Sequence, residues 1–212
     1  MSKLFRIGIT GPSGAGKGAL SSILSSLYGI PVLDADKIYH FILESDSGCR
    51  DELSDNFGKE IISNGRVDRK ALASVVFADG AGDKLLLLNS ITHRYVIEET
   101  ERRIKNAERN GIRFAIVDAP LLIEANMHLS CDIVICVLSD REKRLERIME
   151  RDKITKEQAL MRLRKQKDDS FYSSASDITV YNNGDMGDLE KQAREIALSL
   201  GIKADMNNEG LA

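Results

Sequence analysis

The amino-acid sequence predicts an α/β fold: a parallel five-stranded sheet flanked by helices, with a long helical insertion and a basic helical stretch behind the fourth strand. Three observations predict it. Five short runs rich in β-branched residues, at 5–10, 30–33, 114–117, 133–138 and 178–181, are apolar nearly throughout rather than alternating, as in strands covered on both faces. Segments with helical spacing separate them, the arrangement that yields parallel strands joined by crossovers. The first run leads straight into GPSGAGKG at 11–18 and then into a helical pattern.

The first strand ends at the turn Gly11, Pro12, Ser13, Gly14, Ala15, Gly16, Lys17, Gly18, after which Leu20, Ile23, Leu24 and Leu27 share a helical face. Strand, glycine turn, lysine and helix in that order form a phosphate cradle. Backbone N–H groups wrap a polyphosphate, the helix N-terminus adds positive potential, and Lys17 supplies a charge for the outer phosphates. A bare G-x-x-x-x-G-K arises by chance in roughly 0.06 of chains this long at average Gly and Lys usage. The alternative, a glycine turn with a surface lysine, is disfavoured by the flanking strand and helix. The position after the lysine, usually Ser or Thr, is Gly18, followed by Ala19, so the hydroxyl that normally touches Mg²⁺ is missing.

The second run leads into Asp34 and Asp36, in LDAD. Ligands of open parallel sheets bind beyond the carboxyl ends of the strands, so both carboxylates are expected at the phosphate-loop crevice. One can accept a hydroxyl proton or hold Mg²⁺ through water while the other positions it. The alternative is an N-cap for the helix continuing through Ile38 and Phe41. Residues 34–113 then carry no convincing strand. Helix signals there are 68–77, opened by Asp68, and 92–109, stopped by Gly111. This stretch is too long for a loop and reads as a helical insertion that covers a substrate. His93, beside Arg94, has no second histidine at ligand spacing, which argues against zinc. It is either structural or, with Arg94, a donor pair for an anionic or polar substrate.

The third run reaches Asp118, in FAIVDAPLLIE. An acid at a strand tip beside a phosphate loop is placed to bind Mg²⁺ through its water shell; a carboxylate merely ending the strand is the alternative. Pro120 forces a turn, and Glu124 lies within reach of the same rim. Behind the fourth run a helix is expected over 140–151, with Arg144, Arg147 and Arg151 on one face and Arg141 three residues earlier. Interspersed acids suit a salt-bridged solvent face. Equally, phosphoryl transfer uses such cations to neutralise charge in the transition state, worth about 10³–10⁵ in rate. After a turn at 152–154 a second helix is expected over 155–167, with Thr155 as N-cap and Gln158 completing a capping box. Arg162, Arg164, Lys165 and Lys167 continue the basic character, so 140–170 reads as a lid. The polar tail at 205–212 is expected to fray.

Composition narrows the function classes. The 212 residues suit one α/β unit with an inserted subdomain. Charged residues make up 30% and the net charge is −3, which gives no bulk electrostatic reason for nucleic-acid or membrane binding. Tryptophan is absent, so no base-stacking platform is expected. Cys49, Cys131 and Cys136 form no C-x-x-C pair, and an odd count without metal spacing points to a reducing compartment. No apolar run approaches the roughly 18 residues of a membrane span. A cytoplasmic protein is expected, without nucleic-acid or membrane partners, monomeric or at most weakly oligomeric.

In order along the chain, GPSGAGKG, LDADKIYH, DNFGKEIISNGRVDRKALASVVF, ITHRYVIEE, VDAPLLIE, RLERIMERD with RLRKQ, and ITVYNNG resemble dephospho-CoA kinase, from about residue 5 to about residue 200. LDAD, the N-G-x-x-x-R-x-x-L segment from Asn64 to Leu72, and DAPLLIE are its most specific pieces. The phosphate loop by itself looks more like that of a cytidylate kinase. The resemblance implies a P-loop NTPase-like kinase core at 1–37, 112–139 and 171–204, a CoA-binding helical domain at 38–111 and a lid at 140–170. It implies transfer of the ATP γ-phosphoryl group to the ribose 3′-hydroxyl of dephospho-CoA, with Mg²⁺. By motif, Asp36 is the base, Lys17, Arg147 and Arg151 serve the phosphates, and residues 11–19 with Arg147 and Asn182 bind the nucleotide. Asp34, Asp36, His93, Asp118, Leu121 and Arg162 fall to the substrate, and Asp118 and Asp36 to the metal through water. Arg162 and Gln166 match the family's R-x-x-x-Q element. Three positions depart from the pattern: Gly18 and Ala19 in the loop, Arg94 where proline usually follows the histidine, and Tyr181 where an aspartate usually precedes Asn182. A nucleoside monophosphate kinase and a catalytically silent nucleotide- or CoA-binding protein are the competing expectations.

Overall fold

In the computed structural model, which describes residues 3–78 and 82–203, the chain runs β1 (Phe5–Thr10), α1 (Lys17–Tyr28), β2 (Val32–Asp34), α2 (Ala35–Ser45), α3 (Ser47–Phe57), β3 (Ile62–Ser63), β4 (Arg66–Val67), α4 (Arg69–Val76) and α5 (Gly82–Arg109). It continues through β5 (Phe114–Asp118), β6 (Ile133–Leu138), α6 (Arg141–Asp152), α7 (Lys156–Arg164), α8 (Asp169–Ser173), β7 (Ile178–Tyr181) and α9 (Met186–Ser199). The tail expected to fray, 205–212, lies outside the described residues. The chain divides into two compact units, residues 3–33 with 108–203, and residues 34–107.

The first unit is built on the five-stranded sheet, in the order β2-β5-β1-β6-β7. Strand β1 lies at its centre, parallel to β5 on one side (Ile7 opposite Ile116) and to β6 on the other (Ile9 opposite Ile135), and β7 extends β6 in parallel. The continuous apolar runs are explained by this position. Ile7, Ile9, Ile116, Ile135, Val137 and Val180 are buried together with Leu20 and Leu24 of α1 and Leu189, Ala193 and Ile196 of α9. Burying each such aliphatic side chain contributes about 1.5–3 kcal/mol, enough to fix α1 and therefore the loop that precedes it. All five expected strands are present; β5 runs one residue further, to Asp118, and β2 begins two residues later than the apolar run and ends at Asp34. The C-terminal helix α9, for which the sequence reading had no specific signal, closes the core.

The second unit departs from expectation in two ways. Residues 34–113 do contain strands: β3 and β4 pair antiparallel, Ile62 opposite Val67, around Asn64 and Gly65. Both turn residues have positive φ (52° and 74°), the geometry of a two-residue Asn-Gly hairpin, and strands this short give no periodicity to read. Helix α5 begins at Gly82, ten residues ahead of the expected start at 92, because the run Leu85 to Leu88 has no amphipathic spacing; Leu86 is 69% exposed. Aspartate caps three helices of this unit: Asp34 accepts from Lys37 N (3.0 Å), Asp46 from Cys49 N (2.8 Å) and Asp68 from Lys70 N (2.8 Å) and Ala71 N (3.2 Å).

Candidate active site

The loop between β1 and α1 depends on three glycines. Gly11, Gly14 and Gly16 have φ of 134°, 78° and 105°, and a Cβ on any of them would collide with neighbouring atoms. Gly16 is the tightest case: its added Cβ would lie 2.1 Å from Asn182 Nδ2. Gly18 is different. It is exposed in the first turn of α1, and nothing lies within 4 Å of a Cβ built there, so space does not account for its lack of a side chain. Lys17 folds back across the loop, donating to Gly11 O (2.7 Å) and Pro12 O (3.2 Å). Burial depresses its ammonium pKa, and the nearby Asp118 carboxylate partly restores it.

One face of α6 grips this loop. Arg144, buried, donates through Nε to Ser13 O (3.2 Å), through Nη2 to Gln166 Oε1 (2.6 Å) and through Nη1 to Asp169 Oδ1 (3.1 Å). Gln166 Oε1 also accepts from Ser13 N (3.3 Å). Arg147 reaches Gly14 O and Ala15 O (both 3.4 Å), Ser139 Oγ (3.2 Å) and Asn182 O (3.1 Å). Arg151 lies 3.5 Å from Ser13 Oγ while its Nε is held by Asp152 Oδ1 at 2.7 Å. Asp152 also pairs with Arg162. Arg144 and Arg147 thus contact the loop, while Arg144 and Arg151 also stand in ion pairs, with Asp169 and Asp152, as the salt-bridged reading of the arginine spacing has it. The expected capping box on α7 is present, Thr155 Oγ1 accepting from Gln158 N and Gln158 Oε1 from Thr155 N. Ile148, Ala159 and Leu163 bury the contact between α6 and α7.

Asn182 is 6% exposed, and its side chain donates to Ala15 O at 2.8 Å. It braces the loop from beneath, a place its sequence neighbourhood did not reveal. Asp118 ends β5 and accepts from Ser21 Oγ of α1 at 2.8 Å. Ser21 was not singled out by the sequence; its only signal is its position one helical turn beyond Lys17. After Asp118, Leu121 is 44% exposed on the following turn. A cavity of about 630 Å³ is lined by Arg141, Arg144, Gln166, Lys167, Tyr181 and Asn183, among others. Tyr181, at the position where the resemblance expects an aspartate, is 62% exposed and borders this cavity.

In the second unit, Asp34 performs the capping role that was one of its two readings, with Oδ2 at 3.4 Å from Lys37 Nζ. Asp36 is exposed in the first turn of α2. His93 is partly buried on α5; burial lowers its pKa, so the imidazole is neutral at pH 7. Its neighbour Arg94 pairs with Glu52, whose Oε2 also accepts from Tyr95 OH (2.9 Å). Burial and the Glu52 charge push that phenol up to about 12. Arg94, in the position of the family's proline, is thus spent on an ion pair within its own unit.

The family model CoaE, dephospho-CoA kinase, matches residues 5–188. A dephospho-CoA kinase from Corynebacterium glutamicum is 36% identical over 194 residues, covering 91% of this chain and 96% of its own length. One from Carboxydothermus hydrogenoformans is 36% identical over 187 residues, covering 88% and 89%. Among solved structures, a Thermus thermophilus protein superimposes with a TM-score of 0.77 at 28% identity, covering 94% of this chain and 99% of that one. The dephospho-CoA kinase from Campylobacter jejuni does so with a TM-score of 0.68 at 26% identity, covering 92% and 98%.

Proposed function

The chain belongs to the dephospho-CoA kinase family, and from that premise we propose how its own residues divide the work of phosphorylating dephospho-CoA with ATP, the last step of coenzyme A synthesis. The observation that carries the proposal is the loop 11–18, held open by three positive-φ glycines and gripped by the arginines of α6. Its N–H groups and the N-terminus of α1 take the ATP phosphates. Lys17, now donating to two loop carbonyls, exchanges those partners for phosphate oxygens. Arg147 and Arg151 neutralise charge that builds as the γ-phosphoryl group moves, and 140–170 acts as the lid that carries them.

Asp36 is the base at the 3′-hydroxyl of dephospho-CoA, on the strength of its motif and its exposure at a helix N-terminus. Asp34 fixes that helix start through its cap and contributes to substrate placement. His93, Asp118, Leu121 and Arg162 complete the substrate contacts, with residues 38–111 as the CoA-binding domain. Neutral His93 can donate one hydrogen bond and accept another, and Arg162 offers a charge to substrate phosphate.

Magnesium fits the donor set. Among the described residues no group of three or more His, Cys, Asp or Glu side chains gathers to hold a metal. Asp118 nonetheless presents a hard oxygen ligand at a strand tip near Lys17, and Mg²⁺ ordinarily takes one or two carboxylates, waters and substrate phosphates. Asp118, with Asp36, would hold it through water. When bound, the ion would supply charge neutralisation for the nucleotide phosphates. A monomer, located in the cytoplasm, completes the reading. Release of ADP in a coupled assay with dephospho-CoA or CMP as acceptor tests it: the loop wording favours CMP, whereas LDAD and DAPLLIE favour dephospho-CoA.

A further inference from the structure

The missing hydroxyl at position 18 raises the question of what disciplines the metal-side carboxylate in this chain. We propose that Ser21 is a positioning residue for phosphoryl transfer: its hydroxyl fixes the Asp118 carboxylate and ties it to the helix that carries Lys17. The proposal rests on the assignment of Asp118 to the magnesium side of the site.

Ser21 is 2% exposed, so its hydroxyl has no water to turn to and must find a partner in the protein. Two oxygens lie within reach, Asp118 Oδ2 at 2.8 Å and Lys17 O at 3.1 Å. A hydroxyl has one proton to donate. Lys17 O stands four residues back in the same helix, where it already accepts the backbone N–H of residue 21. The carboxylate is closer and charged, and a charge-assisted hydrogen bond is roughly twice as strong as a neutral one. The Ser21 hydroxyl therefore donates to Asp118 Oδ2.

Position matters as well. Ser21 follows Gly18 by three residues, about 4.5 Å further along the helix axis and away from the cradle. It is too deep to replace the usual loop hydroxyl as a ligand, and it acts through Asp118 instead. Gly18 is open to solvent with room for a side chain, so the loop has given up a hydroxyl that space would permit. Ser21 is buried one turn below, bonded to Asp118, the carboxylate of this unit assigned to the metal. The competing description is a plain buried serine bonded to its i−4 carbonyl.

The test uses the full chain with Ser21→Ala, Ser21→Cys, Ser21→Thr and Asp118→Asn. Cysteine keeps the volume while donating only weakly, so it serves if the alanine variant fails to fold. Threonine restores the donor. ADP affinity is measured by calorimetry in excess Mg²⁺ and again in EDTA, beside kcat and KM. A hydrogen bond to a charged group is worth at least about tenfold in an equilibrium. Ser21→Ala or Ser21→Cys should thus weaken ADP binding in Mg²⁺ about 10-fold and leave binding in EDTA within about twofold. Turnover should fall about 10-fold at unchanged KM for dephospho-CoA, with recovery in Ser21→Thr. Equal weakening in Mg²⁺ and EDTA would show a structural serine and overturn the proposal. So would wild-type behaviour of Ser21→Cys alongside a defective Asp118→Asn. If Asp118→Asn itself kept its Mg²⁺-dependent ADP binding, the magnesium assignment would fall first, and Ser21 with it.

Discussion

Adding one methyl group at Gly16 tests the construction of the phosphate loop most sharply. Gly16 has φ 105°, a region that costs a residue with a side chain about 1–2 kcal/mol. The new Cβ would stand 2.1 Å from Asn182 Nδ2, so the Asn182 side chain must leave, breaking its 2.8 Å bond to Ala15 O in a buried place. Leaving those groups unsatisfied costs about 1–3 kcal/mol. Together Gly16→Ala should destabilise by about 3 kcal/mol, which for a chain of this size lowers Tm by roughly 6–12 °C. Because the displaced groups hold the loop in shape, ATP affinity should also fall by more than about 10-fold. Gly18→Ala is the control two residues away: no clash, helical backbone, and a gain of about 0.4–1 kcal/mol from reduced chain entropy. Differential scanning calorimetry and ATP titration of the two variants decide the matter. If Gly16→Ala melts within 2 °C of wild type (a shift of under about 1 kcal/mol) and binds ATP normally, the brace between Asn182 and the loop is not what shapes the cradle.

The other expected outcomes concern the chemistry and the second unit. Asp36→Asn should cut kcat by about 10²–10⁴ at saturating substrates, the range for losing a general base, with Tm unchanged; a near-wild-type rate would remove Asp36 from that role. Gly18→Ser should fit without strain and lower the Mg²⁺ concentration for half-maximal activity, and an unchanged Mg²⁺ curve and rate would show that position 18 has no part in holding the ion. Glu99 gives a pH signature. The hydrogen bond from Arg102, reinforced by Arg103 and both positive charges, outweighs burial and holds its carboxyl below the ordinary value. A depressed native pKa stabilises the fold above the unfolded value of about 4.3, and that contribution is lost as pH falls through the native value. The stability gap between wild type and Glu99→Gln in urea titrations, about 0.5–1 kcal/mol at pH 7, should vanish in acid; a gap that persists at pH 2 contradicts the pairing.

The parts of this molecule that could be read from sequence are those made of contiguous residues. Each sheet strand announced itself as an apolar run because both faces are covered, and the loop with its lysine and flanking helix occupies eighteen consecutive residues, 11–28. The strand ends were less visible: Asp34 and Asp118 are polar, so an apolar run stops short of each although the backbone continues to pair or extend through it. The hairpin at Asn64 and Gly65 carried a turn signal but strands too short for alternation. The bracket from Arg144 to Ser13 and Gln166 was beyond reach because its members lie far apart in the chain. Arginine spacing gives a helix face and not what that face meets. Likewise a serine inside a helix is unremarked until its neighbour across the strand proves to be Asp118.

The central claim, that this loop and these acids serve dephospho-CoA, is tested most directly by offering the purified protein ATP, Mg²⁺ and either dephospho-CoA or CMP, and identifying the phosphorylated product by mass spectrometry. The account predicts coenzyme A and an equal amount of ADP with dephospho-CoA, and no turnover of CMP. Phosphorylation of CMP alone, or ATP binding with turnover of neither acceptor, would contradict it.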